Sequence, residues 1–243
     1  MKVLKAVIAK EFSGYFKTYT AYIVLAIYLL LSFAITFYAA YFFEFNNRNL
    51  VSFFVYQPIV LNVLLPALTM KMWAEERRQG TLEFLLTQPV SYQKLVIGKF
   101  LAALLFGIIL LGMTVPFIIY SAHLFSLDYL NILSGFIGLL LVTSLLSAFG
   151  CLVSALNNNV IIAYLSTVFL GWILIGTNFN FLLQPIKEIF PLLSSRLNGI
   201  LNFETHYQWL IQGQCSVSTI IYFCSQIGIA LWLNILIIEW RKD

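Results

Sequence analysis

From the N-terminus onward, short polar stretches alternate with apolar runs long enough to cross a lipid bilayer. A hydrocarbon core of ~30 Å takes roughly 20 apolar residues in helical form. Uncharged runs of that length recur at residues 22–43, 51–70, 100–120, 129–154, 160–179 and 217–238. Six membrane-spanning helices are therefore expected. The fourth and fifth come from one uncharged stretch, residues 129–186, whose 58 residues are too many for a single span. Asn157, Asn158 and Asn159 mark the break, because three amides are costly in lipid and favour turns.

The stretch "MKVLKAVIAKEFSGYFKTYT" ahead of the first span follows a different period. On a helical wheel Leu4, Val7, Ile8, Phe12, Tyr15, Phe16 and Tyr19 share an arc, with Lys2, Lys10, Ser13 and Lys17 opposite. This predicts an amphipathic helix over residues 1–20 lying on the inner leaflet, with Glu11 as the one misfit on its face. The stretch is too long for the basic start of a secretory signal and the following run too long for its core, so retention is expected.

Composition agrees with the pattern. Of 243 residues 61% are hydrophobic and 10% charged, with mean hydropathy +0.91, against roughly 25% charged in a soluble domain. Lys and Arg are retained on the cytoplasmic side of membrane proteins. With both termini inside, Lys2, Lys5, Lys10, Lys17, Lys71, Arg77, Arg78, Lys94, Lys99, Arg241 and Lys242 are cytoplasmic, eleven of the fourteen basic residues. The net charge of +4 is thus a topology signal. No soluble face gathers the charge that nucleic acid would need.

Candidate chemistry is sparse. Cys151, Cys215 and Cys224 form no CxxC pair and no disulfide framework. His123 and His206 lack a second ligand at metal spacing, so no metal site is expected. The sequence contains no GxSxG, no carboxylate pair within a span and no GxxxxGK[ST], so the chain by itself is expected to catalyse nothing and to bind no ATP. No ionisable residue lies in the middle of a span, which disfavours ion-coupled transport, although backbone carbonyls can also bind Na⁺. In the fourth span Thr143, Ser147, Cys151 and Ser154 repeat at helical spacing. Such a stripe of small residues admits a closely packed helix, from this chain or another. Pro66 and Pro116 are expected to kink the second and third spans.

The main polar interruption is "KMWAEERRQGTLEFLLTQPVSYQKLVIGK", residues 71–99. The second helix can continue out of the membrane to Gln79, with Trp73 at the interface, until Gly80 breaks it. "TLEFLLT" then reads as about two helical turns with Leu82, Leu85 and Leu86 on one side and Glu83 elsewhere. Pro89 ends it, and Ser91 can cap the third span. The leucines either seat this short helix on the lipid surface or dock a partner.

The segment resembles one in type-2 ABC transporter permeases, in which an acidic-basic cluster, Gly-Thr-Leu-Glu, a leucine pair, a Pro and a Gly-Lys occur in this order. Here these are Glu76, Arg77, Gly80, Thr81, Leu82, Glu83, Leu85, Leu86, Pro89, Gly98 and Lys99. The resemblance implies one transmembrane permease domain over residues 1–243, an all-α polytopic membrane protein. It has six spans, an N-terminal interfacial amphipathic helix, a short cytoplasmic coupling helix within residues 71–99 and, within 180–215, outer re-entrant helices before the last span. In that outer segment Pro191, Gly199 and Tyr207 are similar to the family pattern, whereas Leu192 and Leu193 depart from it. The start "KEFSGYFKTYTAYIVLAIYLLLS" is most similar to permeases of the gliding-motility and copper-site-assembly branch.

By the same resemblance, two permease subunits, alike or related, pair in the bacterial cytoplasmic membrane with both termini inside, each engaging a separate ABC ATPase subunit that holds ATP and Mg. Leu82, Leu85 and Leu86 would enter a groove on the ATPase, with Glu76, Arg77 and Glu83 at its rim. The implied activity is export driven by ATP. A membrane scaffold that docks another complex without moving a substrate is the alternative.

Overall fold

The computed structural model describes residues 2–39, 50–83, 90–125, 128–176 and 202–241, and every regular element among them is helical. In chain order these are α1 (Lys2–Phe16), α2 (Tyr19–Ala34, running into a π-helical turn over Ile35–Ala39), α3 (Val51–Thr69), α4 (Lys71–Arg78), α5 (Tyr92–Phe125), α6 (Tyr129–Leu156), α7 (Val160–Gly176), α8 (Phe203–Ile211) and α9 (Val217–Trp240). Five helices are long and apolar enough to cross a bilayer: α2, α3 continued by α4, α5, α6 and α9. The chain is a multi-pass membrane protein. α7 is equally apolar but shorter, and the last residues of the expected fifth span, 177–179, lie outside the described residues.

Local chemistry sets the boundaries. Asp128 caps α6 by accepting from Leu130 N at 3.1 Å. At the asparagine run Asn157 is extended and donates its amide to Val153 O at 2.9 Å, while Asn159 Oδ1 accepts from Ile161 N at 2.8 Å. The triplet thus serves one helix's end and the next one's start, using the turn-forming chemistry that marked it in the sequence. α5 begins two turns earlier than the apolar run, straight after Ser91, whose carbonyl accepts from Lys94 N and Leu95 N. α3 runs on through Pro58 and Pro66, and α5 through Pro116.

The bundle is built around α6, which packs on α3, α4, α5, α7, α8 and α9. Two close approaches make this density possible. A Cβ at Gly150 would collide with the Thr69 side chain of α3, and one at Gly107 with the Thr143 methyl group. In lipid, such small-residue seams replace hydrophobic burial as the source of helix association. Thr143, Ser147, Cys151 and Ser154 are all fully buried, so the stripe packs inside this chain. α2, α7 and α9, with Ile23, Leu30, Ile161, Phe169, Trp232 and Trp240 exposed, face outward.

α1 follows its expected arc with one correction. Leu4, Val7, Phe12, Tyr15 and Phe16 turn inward and Lys10, Ser13 and Lys17 outward. The helix ends at Phe16, so Tyr19 begins α2 and is 87% exposed instead of sharing the α1 arc. The apolar face packs on α5, with Tyr15 and Phe16 each 5.7 Å from the Phe106 ring. Burial first, then the Glu11 carboxylate, push the Tyr15 phenol well above its usual range.

Of the outer segment the structure describes α8. Asn202 caps it through Glu204 N and Thr205 N, and Gly213 leaves it with φ of 84°. Tyr207 is buried, donating to Phe54 O on α3 at 2.6 Å, and Leu210 packs with it over Gly138 of α6. Pro191 and Gly199 lie outside the described residues.

Candidate functional site

At one end of the bundle α3 passes into α4, which carries the charged cluster between two long spans. Three sets of contacts fix α4. The first is to the last turn of α6, where the Ser154 hydroxyl accepts from Trp73 N at 3.0 Å and Ala74 N at 3.2 Å and donates to Met70 O at 2.9 Å. A helix junction has backbone groups without intrahelical partners, and one hydroxyl satisfies three of them.

The second set is made by Arg77. Its guanidinium donates to Ala155 O at 2.8 Å, Asn157 O at 3.1 Å and Asn158 Oδ1 at 2.7 Å, while Arg241 donates to Leu156 O at 2.9 Å. The carbonyls that end α6 are thus satisfied by two cations placed where the helix dipole favours them.

The third set centres on Lys99 of α5, which is 1% exposed. Its ammonium donates to Met72 O at 2.7 Å, Glu76 Oε1 at 2.8 Å and Glu11 Oε1 at 3.1 Å, and lies 4.7 Å from the centre of the Trp73 ring. A buried charge is tolerated only when paired and hydrogen-bonded, and all three donors of the ammonium have acceptors. Glu11, the misfit on the α1 face, is explained by this contact. Trp73, expected at the membrane interface, is fully buried, with its indole N–H donating to Cys151 Sγ at 3.3 Å.

Beyond α4, Gly80 takes φ of 69° and turns the chain. That left-handed region is open to glycine without steric penalty. Thr81 Oγ1 donates back to Glu76 O at 3.1 Å, and residues 81–83 are helical again. Gly80, Thr81 and Glu83 are exposed, whereas Leu82 is 7% exposed in an apolar cluster with Met72, Trp73, Leu95 and Val96. Leu85, Leu86 and Pro89 lie outside the described residues.

Of the expected site residues, the structure gathers Glu76, Arg77, Gly80, Thr81, Leu82 and Glu83 at one end of the bundle. Glu76, Arg77 and Leu82 have partners within the chain, and Cys151 and Ser154 of the small-residue stripe form the wall on which α4 sits. Lys99 and Glu11 are the members that residue patterns left without a role. Their signal was each residue's incongruity, a lysine entering an apolar run and a carboxylate on an apolar face.

No curated protein matches the chain. The family described as ABC-2 family transporter protein matches residues 5–238, nearly the whole of it. The chain, a multi-pass helical bundle with this charged corner, belongs to the ABC-2 transporter family, whose members are membrane permease subunits.

Proposed function

We propose that the chain is the membrane-spanning half of an ATP-driven exporter in the bacterial cytoplasmic membrane, with both termini cytoplasmic. It works with a separate ABC ATPase subunit, which holds ATP and Mg, and with a second permease subunit, itself or a relative. The carrying observation is the seating of α4 and Leu82 on either side of Gly80. α4 is hydrogen-bonded to the end of α6 and ion-paired to α5, and Leu82 sinks into the same cluster. Force applied just beyond so firmly seated a helix reaches two spans without being lost in a flexible linker.

In this reading Leu85 and Leu86 are the anchors that enter the ATPase groove, Thr81 and Glu83 lie at its rim, and Glu76, Arg77 and Leu82 hold the segment from behind. Apolar anchors supply affinity and rim charges orientation. ATP-driven closure of the ATPase pair moves the two coupling segments together and biases the bundle between two states. α7 is the fifth of six spans, and α8 belongs to an outer re-entrant lid.

The test is recovery of the tagged protein from native membranes in mild detergent, beside Leu85→Asp. An ATPase that co-elutes with the unaltered protein and is absent from the variant supports the coupling reading. Absence of any ATPase from membranes that retain the folded protein overturns it in favour of a scaffold.

A further inference from the structure

α1 and α4 form no packed seam among the described residues. Both instead line a cavity of about 400 Å³, to which α1 contributes Lys10, Glu11 and Tyr15 and α4 contributes Lys71, Glu75 and Glu76. The group that hydrogen-bonds to both helices beside this gap is the Lys99 ammonium, reaching Glu11 of α1 at 3.1 Å and Glu76 and Met72 O of α4 at 2.8 and 2.7 Å. We infer that Lys99 is a positioning residue that makes α1 follow α4, so that displacement of the coupling segment is carried to the amphipathic helix as well as to α5. This rests on the coupling reading for its function, though the linkage itself does not.

The charges favour such a relay over a plain structural pair. One ammonium faces two carboxylates, and Glu76 Oε2 is buried without a hydrogen-bond partner among the described residues. A buried ion pair is weak evidence for stability, since desolvation offsets attraction, but it fixes geometry strongly because each group has few alternative partners. The contact between α1 and α5 is close and apolar, with Val7 against Gly98, where a Cβ would not fit. α1 therefore rides on α5, and its alignment to α4 runs through Glu11.

Glu11→Ala tests this cleanly. It severs the α1 arm while leaving Lys99 and Glu76 as a balanced pair, so the fold survives, whereas Lys99→Met would strand two carboxylates. Glu11→Gln keeps an acceptor for Lys99 and serves as the rescue. Spin labels at Ser13→Cys and Arg78→Cys, both exposed, are placed in a background with Cys215→Ser and Cys224→Ser, and the protein is reconstituted in vesicles. The expected result is a narrow distance distribution in the parent, a broadened one with Glu11→Ala and a narrow one restored by Glu11→Gln. An unchanged distribution in Glu11→Ala overturns the linkage whether or not any ATPase binds. With the co-eluting ATPase present, Glu11→Ala should keep ATPase binding and hydrolysis but lose several-fold in substrate moved per ATP. An unaltered ratio overturns the transmission role, and absence of any ATPase overturns the coupling reading while the label distances still report on the linkage.

Discussion

At Ser154 a single hydroxyl serves Met70 O, Trp73 N and Ala74 N across the junction of α3 and α4. Ser154→Ala leaves these buried backbone groups short of partners, and each such loss costs about 1–3 kcal/mol. Thermal unfolding in detergent should show a clear drop for Ser154→Ala. Ser144→Ala is the control, since the exposed Ser144 hydroxyl bonds to Leu140 O of its own helix. Arg77→Lys is not conservative here. A planar fork reaches three acceptors that a point ammonium cannot span together, so about 1.5–3 kcal/mol should be lost although the charge is kept. That loss is checked in the same unfolding experiment. At this scale the sequence was legible in residue types but not in partners. Arg77 stood out as part of a charged cluster suited to an outside partner, yet two of its three acceptors are backbone carbonyls 78 and 80 positions away. Backbone carbonyls belong to every residue and leave no trace in a residue pattern.

Among the elements, α4 and its turn are the most exposed to substitution. Gly80→Val places a β-branched residue at φ of 69°, a left-handed conformation costing roughly 1–2 kcal/mol for an L-residue. Limited proteolysis of the reconstituted protein should then cut faster within residues 80–91, with the spans still protected. Gly150→Leu drives a side chain into Thr69 at the α3–α6 seam. Overpacking typically costs 1–3 kcal/mol, and the folded yield in mild detergent should fall accordingly. Helix existence was legible because lipid leaves the backbone no alternative to satisfying itself within a helix. Helix ends were legible where chemistry marks them, at Ser91 and the asparagine run. They were missed where no such mark stands, as in α1, which stops at Phe16 although one helix was expected over residues 1–20.

For the whole molecule, the basic-residue bias predicts that the α4 corner and Ser13 lie inside and the loop between α8 and α9 outside. Cys215, exposed in that loop, should react with a membrane-impermeant maleimide in intact cells, whereas Ser13→Cys should react only after permeabilisation. The reverse pattern would invert the topology and remove the coupling segment from reach of a cytoplasmic ATPase. Class, membrane residence and the approximate places of the spans follow from the sequence alone, because apolar run length against bilayer thickness is a local property. So does the family, because its motif residues lie close together in one stretch. Only the tertiary structure decided that the small-residue stripe is filled from within, that Trp73 and Leu82 are buried, and that Glu11, Glu76 and Lys99 meet. Those outcomes depend on which helix faces which, and in a uniformly apolar chain close packing and a few buried polar contacts between distant residues make that choice.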